Sequence, residues 1–133
     1  MIKKAIFLSL LLVNSIAIAG SSASCGSKVT CKPGEKAKCE MVNGNSTIFQ
    51  QASFLNLTTT THLFLRDLYA YKAGSVGIVD CYYSQGDAPE NWLVFKTSPL
   101  HNVIVRDSSE WVKREDMLHC DPDLNNCLLY VLY

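Results

Sequence analysis

The chain has 133 residues, and its twelve basic and twelve acidic side chains give a formal charge of zero. This balance argues against nucleic acid as a partner, because a protein that binds phosphate backbones needs a basic surface. The length suits one domain with a core of ordinary size.

Residues 1–19 have the pattern of a secretory signal peptide. Lys3 and Lys4 precede an apolar run over residues 5–13, and Ala17-Ile18-Ala19 is a small-x-small cleavage signal. The run is shorter than the roughly 20 apolar residues that a membrane-spanning helix needs. We therefore expect cleavage after Ala19, no stable membrane insertion, and a secreted or periplasmic bacterial protein.

The six cysteines all lie after this segment. An even number of thiols delivered to an oxidising compartment favours disulfide bonds over free cysteines. Spacing predicts that Cys120 and Cys127 close a small loop and that Cys81 ties the N-terminal part of the chain to the core, but the sequence leaves the full pairing open. The half-cystines are Cys25, Cys31, Cys39, Cys81, Cys120 and Cys127.

Composition divides the mature chain into two parts. Residues 20–46 are rich in Ser, Lys, Gly and Cys, and Val29 is the only large aliphatic residue before residue 41. This predicts an irregular, disulfide-held leader. Residues 47–133 consist of short β-branched and aromatic runs separated by turn residues, which predicts a β-rich domain.

The first long strand of this domain is also the most ambiguous element. Residues 62–72 fit the alternation of a strand and also a helical stripe. The threonines before them favour a strand, whereas a helix near 62–72 would make the fold α+β. Residues 69–83 then predict a hairpin that turns at Gly74 and Ser75, and residues 92–97 and 102–106 predict two further short strands.

One short helix is predicted near residues 108–118. Asp107 and Glu110 have the spacing of a capping box, and Pro122 forbids continuation. Residues 127–133 form an apolar run that predicts a closing strand buried on both faces. The expected fold is therefore mainly β, an antiparallel sheet or a small sandwich or barrel, with this single helix.

A set of short motifs over residues 63–131 resembles a group of small exported bacterial proteins classed as a domain of unknown function. The motifs are Gly74-Ser75-Val76 leading to Cys81-Tyr82-Tyr83, then Trp92-Leu93-Val94, and finally Trp111 ahead of Cys120 and Cys127-Leu128. The N-terminal third departs from that group, since Cys31-Lys32-Pro33 and two further cysteines replace a Cys-Pro start. The resemblance implies export and a β-rich fold, and it carries no catalytic residues.

Catalytic and metal-binding patterns are not found in the sequence. His62, His101 and His119 are isolated, no Cys-x-x-Cys occurs, and the Asp121-x-Asp123 segment lacks the glycine and glutamate of a calcium loop. We therefore expect no catalytic residues, no metal and no cofactor, and we lean against an enzyme.

Recognition is the function that the sequence favours. Tyr69, Tyr71, Tyr82 and Trp92 fall in neighbouring predicted strands, where they would form a flat aromatic platform for a protein or a glycan. The expected function is a non-enzymatic exported binding module. Two alternatives remain: an inhibitor of a host or competitor enzyme that inserts the loop at residues 32–38, and a small hydrolase with an unrecognised carboxylate site.

Overall fold

The computed structural model describes residues 20–43, 47–86, 92–105 and 110–132, so the predicted signal segment lies outside the described residues. The described ranges contain strands and no helix, which confirms a mainly β fold. In chain order the strands are β1 (Gly20–Ala23), β2 (Lys28–Cys31), β3 (Cys39–Val42), β4 (Phe49–Gln51), β5 (Thr61–Ala73), β6 (Val76–Ser84), β7 (Leu93–Thr97), β8 (Asn102–Val105), β9 (Val112–Arg114), β10 (Met117–Cys120) and β11 (Leu129–Leu132).

Two antiparallel sheets form a nearly closed barrel. The smaller sheet has the order β1-β11-β8, and the larger has the order β3-β2-β5-β6-β7-β4, with β10 paired to β5 and β9 paired to β10. The 13-residue strand β5 holds the larger sheet together. One of its edges pairs with β2 over residues 61–64 and with β10 over residues 68–70, while β6 pairs with the other edge.

The hairpin of β5 and β6 is confirmed. Ala73 pairs with Val76, so Gly74 and Ser75 form a two-residue turn, and Gly74 takes the positive φ of 67° that such turns favour. Residues 62–72 are therefore strand, and the alternative helix is not formed there. A register shift between Leu65 and Asp67 leaves Arg66 as a bulge.

The helix predicted near residues 108–118 is wrong over the part that the structure describes. Residues 110–118 instead lead into the hairpin of β9 and β10, with Glu115 in the left-handed region at the turn (φ 54°). Glu110 does not cap a helix there, because its Oε1 accepts a hydrogen bond from the Cys127 amide at 3.1 Å. Ser108 and Ser109 lie outside the described residues. Pairing of β10 with β5 outweighs the local capping pattern.

The segment at residues 20–46, which we expected to be irregular, contributes β1, β2 and β3. All six cysteines form disulfides, and the expectations for Cys81 and for the loop from Cys120 to Cys127 are confirmed. Half-cystines serve as core residues, since Cys31 and Cys39 face each other across β2 and β3 and both are buried. The three bridges are Cys25–Cys81, Cys31–Cys39 and Cys120–Cys127.

Gln51 joins the two ends of the larger sheet. Its Oε1 accepts from the Cys39 amide at 2.9 Å, and its Nε2 donates to the carbonyls of Ala37 at 2.8 Å and Ser53 at 3.1 Å. Backbone hydrogen bonds between Ala37 and Leu55 and between residues 34 and 57 extend the same seam. These contacts fix the β2–β3 hairpin to β4, which is the strand beside β7 in the larger sheet.

Gly77 marks the contact between the two sheets. Its amide donates to Asn102 Oδ1 at 2.8 Å, and a Cβ at this position would overlap the Val103 carbonyl oxygen. Strand β6 therefore approaches β8 as closely as its backbone allows. The core fills the space between the sheets, and its largest fully buried side chains include Tyr83, Leu63, Leu68, Leu93 and Leu129.

Candidate functional site

The four aromatic residues singled out in the sequence lie on one face of the larger sheet. Tyr69 and Tyr71 are on β5, Tyr82 is on β6, and Trp92 directly precedes β7. The register aligns Tyr69 with Asp80 and Tyr82 with Val94, and each of the four aromatic side chains is half-buried. The opposite face of the same strands is the core, where Leu68, Val79 and Tyr83 are buried.

Three of these residues form a row, which we call the aromatic strip: Tyr69, Tyr82 and Trp92. The ring centroids of Tyr69 and Tyr82 are 5.6 Å apart and those of Tyr82 and Trp92 are 5.3 Å apart. Both contacts are edge-to-face, with interplanar angles of 85° and 64°. The strip is thus a ridged surface rather than the flat platform that we expected. Edge-to-face contacts stabilise such pairs by about 0.5–1.5 kcal/mol each, which holds the rings in place.

Tyr71 lies beside the strip and takes part in a polar cluster. Its hydroxyl donates to Asp80 Oδ1 at 3.1 Å, and Lys96 Nζ lies 3.9 Å from the same oxygen and 5.8 Å from the Tyr71 ring centroid. Burial raises the pKa of the Asp80 carboxyl, although Lys96 and Tyr71 oppose that effect. The hydrogen bond with Tyr71 and the charge of Asp80 raise the pKa of Lys96. The cluster therefore keeps a buried carboxylate and a half-exposed ammonium in fixed positions.

His119 and Asp67 flank the other end of the strip, and sequence reasoning missed both. His119 Nε2 and Asp67 Oδ1 are 2.6 Å apart, and the His119 ring lies 4.8 Å from the Tyr69 ring. Pairing of β10 with β5 aligns His119 with Tyr69, and the bulge at Arg66 brings Asp67 onto the same face. No sequence signal indicated this placement, because residues 117–120 lack the alternation of a strand and the predicted helix near residues 108–118 covered the start of β10.

The polar tips of the aromatic side chains separate the strip from the structural aromatics. Buried Tyr83 donates its hydroxyl to Gly26 O at 2.7 Å, and buried Trp111 donates its indole N–H to Leu128 O at 3.1 Å. Within the described part of the chain, the Tyr69 and Tyr82 hydroxyls and the Trp92 indole N–H make no hydrogen bond. The strip therefore presents polar groups that are available to a partner.

Two pairs of neighbouring acids, Asp121 with Asp123 and Glu115 with Asp116, lie in turns. Asp121 Oδ1 accepts from the Asp123 amide at 2.9 Å, which makes a turn inside the Cys120–Cys127 loop. Glu115 and Asp116 form the turn between β9 and β10. Glu115 and Asp116 also line the apolar cavity described below, together with the basic residues Lys72 and Lys113.

The loop considered for inhibition is fastened to the body of the protein. Lys32 donates its amide to Lys38 O, and the amides of Gly34 and Ala37 donate to Leu57 O and Leu55 O. These contacts hold residues 32–38 along residues 55–57. A loop bound in this way along its length does not project as an inhibitory loop would.

An apolar cavity of about 730 Å³ lies between the β5–β6 hairpin, β8 and the β9–β10 hairpin. Ile78, Val103, Val105 and Leu118 line its walls, and charged side chains of both signs stand at its rim. Of the four predicted site residues, Tyr71 lines the cavity, whereas Tyr69, Tyr82 and Trp92 do not. The cavity is therefore a feature separate from the aromatic strip.

Comparison with known proteins gives no family. No family model, curated protein or solved structure matches the chain significantly. The resemblance to small exported bacterial proteins accordingly stays a prediction. Over the residues that the structure describes, no three His, Cys, Asp or Glu side chains group as metal ligands would, and no helix has the length and apolarity to cross a membrane.

Proposed function

We propose that this chain is an exported, disulfide-stabilised binding protein that recognises its partner through the aromatic strip. The observation that carries the proposal is the contrast between two sets of aromatic residues. Tyr83 and Trp111 are buried with satisfied polar tips, whereas Tyr69, Tyr82 and Trp92 are half-exposed, adjacent and without hydrogen-bond partners among the described residues.

The half-exposed aromatic row leaves its donors open to solvent, so a partner can replace the water that they contact. Tyr and Trp are enriched at binding surfaces because one rigid side chain supplies both apolar area and a polar tip. The edge-to-face contacts and the flanking Asp67–His119 pair restrict the rings before any partner arrives. Preorganisation of this kind lowers the entropy cost of binding.

Export rests on the pattern of residues 1–19 and is supported by the three disulfides. Disulfides persist outside the reducing cytosol, so the expected location is the periplasm or the medium of a bacterial host. Intact mass of the protein from its native source, before and after reduction with alkylation, tests this directly. We expect loss of residues 1–19 and six alkylated cysteines only after reduction; a full-length mass with six reactive thiols contradicts export.

The binding role is tested with labelled protein on two solid-phase libraries, one of glycans and one of peptides. Tyr82→Ala and Trp92→Ala remove two rings of the strip, and Leu124→Ala removes a side chain that is 79% exposed in the Cys120–Cys127 loop and is not part of the strip. We expect a defined set of ligands that the Leu124 variant keeps and both strip variants lose. Absence of any ligand, or equal binding by all variants, contradicts the proposal.

A further inference from the structure

We infer that the ligand of the aromatic strip is an uncharged oligosaccharide, an inference that rests on the proposed function. The first argument is the spacing of the rings. Tyr69, Tyr82 and Trp92 come from three neighbouring strands, and their centroids follow one another at 5.6 and 5.3 Å. This repeat follows from the spacing of about 4.8 Å between strands, and it is close to the length of one pyranose unit in an extended chain.

The second argument is the chemistry between the rings. A sugar has an apolar C–H face, which packs on an aromatic ring, and hydroxyls around its edge, which need acceptors and donors. Asp67 uses Oδ1 for His119, while its Oδ2 accepts no hydrogen bond from the described residues and its side chain is 26% exposed. The unpaired Tyr69 and Tyr82 hydroxyls and the Trp92 N–H add three donors within the same row.

The third argument is charge. Among the described residues, the two acids at the strip each have a basic neighbour, since Asp67 is paired with His119 and Asp80 with Lys96. In these same ranges, neither His119 nor Lys96 stands without an acidic partner to attract a uronic acid or a sulfated sugar. The surface therefore fits a neutral glycan better than an acidic one.

The same features disfavour a protein partner. The energetic centre of a protein interface is a dry apolar patch with few charged groups. The Asp67–His119 and Asp80–Lys96 pairs flank the strip, and covering Asp67 and Lys96 with an apolar surface would cost desolvation that no new hydrogen bond offsets. A polyhydroxylated ligand supplies those hydrogen bonds.

The test is isothermal titration of the full mature protein with three neutral series: cello-, chito- and xylo-oligosaccharides. We expect at least one series to bind with an affinity that rises from the mono- to the trisaccharide and then levels off, because the row of three rings is about as long as three sugar units. Binding should change little between low and high salt, since no net charge is neutralised. An acidic oligosaccharide, oligogalacturonate, serves as the comparison and should bind more weakly.

Substitutions then place the ligand on the strip. Trp92→Ala and Tyr82→Ala should each lower the association constant about tenfold, and Asp67→Asn about fivefold, because a charge-assisted acceptor becomes a neutral one. Leu124→Ala should leave it unchanged. Thermal melts of each variant establish that the fold is intact, and Trp92→Phe provides a milder change that keeps a ring in place.

The outcomes separate this inference from the proposed function. Neutral oligosaccharides that bind with the length dependence, salt independence and losses described above support both. If peptides bind at the strip and every sugar series fails to bind, the inference of an oligosaccharide ligand is wrong, whereas the proposed binding function is supported. Salt-sensitive binding of oligogalacturonate alone also overturns the inference of an uncharged oligosaccharide, as does sugar binding that survives Tyr82→Ala. Failure of sugars and peptides alike overturns both.

Discussion

The side-chain amide of Gln51 contributes to closure of the barrel beside the backbone hydrogen bonds of the same seam, and Gln51→Glu tests this contribution. The substitution keeps the size of the side chain and keeps an acceptor for the Cys39 amide. It replaces Nε2, which donates to the carbonyls of Ala37 and Ser53 at 2.8 and 3.1 Å, with a second carboxylate oxygen. Two donated hydrogen bonds are lost, and a negative oxygen then faces two carbonyl oxygens.

The expected loss can be worked out from these contacts. Each hydrogen bond contributes about 1 kcal/mol, and leaving carbonyls without a donor beside a carboxylate adds a similar cost, so unfolding should become easier by about 3 kcal/mol. For a chain of this size, stability changes correspond to about 4 °C per kcal/mol, which predicts a fall in Tm of about 12 °C. The neighbouring Gln50 is exposed, so Gln50→Glu makes the same charge change without these contacts and should alter Tm by no more than about 2 °C.

Thermal unfolding of both variants, followed by circular dichroism, measures the difference. Lowering the pH should reduce the difference in Tm between the two variants, because the carboxyl of Glu at position 51 takes up a proton near or above about pH 4 and can then donate a hydrogen bond to one carbonyl. Equal Tm values for the Gln50 and Gln51 variants would refute the reasoning, since they would mean that the amide does not hold the seam of the barrel.

Three further expectations concern stability. Replacing both cysteines of the Cys25–Cys81 bridge with serine should lower the free energy of unfolding in urea by about 4 kcal/mol, and the same change at the Cys120–Cys127 bridge should lower it by about 2.5 kcal/mol. The first bridge costs more because it closes a separation of 56 residues and the second a separation of 7; the opposite order of the two losses contradicts this loop-entropy argument. Gly77→Ala should lower the free energy of unfolding by about 1–3 kcal/mol, because the added Cβ forces β6 away from β8. Gly74 has open space around its Cβ position, so Gly74→Ala should lower the free energy of unfolding only by the strain of the positive φ, about 1 kcal/mol. Folding raises the pKa of Asp80, so the stability that its protonated form contributes is present in acid and is lost as pH rises from the ordinary pKa of 3.8 through the folded pKa. Asp80→Asn should remove this decline in the free energy of unfolding, measured across the acid range. An unchanged slope of that free energy against pH would contradict the argument.

The hairpin of β5 and β6 could be predicted because its signals are local. Alternation of large side chains, the threonines before residue 62 and a glycine at the turn all indicate the same structure, and the register aligns Ala73 with Val76 as that turn requires. The loop closed by Cys120 and Cys127 could be predicted equally well, since turn residues fill the short interval between the two cysteines.

The N-terminal strands escaped prediction because cysteine was counted as a staple and not as core. Cys25, Cys31 and Cys39 are all buried, and with Val29 and Ala37 they supply the apolar surface that aliphatic residues provide elsewhere. A half-cystine buries as much as a small hydrophobe. A segment with several cysteines can therefore pack as strand although its large aliphatic residues are few.

The helix prediction failed for a different reason. The pattern from Asp107 to Glu110 is a local signal worth about 1 kcal/mol, whereas β10 gains a ladder of hydrogen bonds along β5 and a disulfide at Cys120. The same error concealed part of the candidate site. A helix near residues 108–118 gives no reason to place His119 beside Tyr69, and the bulge that orients Asp67 has no signature in sequence.

The arrangement of the bridges makes tolerance of proteolytic nicking unequal along the chain. A single cut at any peptide bond between Cys25 and Cys81 leaves both fragments covalently joined, because that bridge spans the interval. A cut between Cys81 and Cys120 releases the fragment that carries β10 and β11, since the Cys120–Cys127 bridge is internal to it. If the protein is exported as we propose, the interval between Cys81 and Cys120 has only folding to protect it from the endoproteases outside the cell.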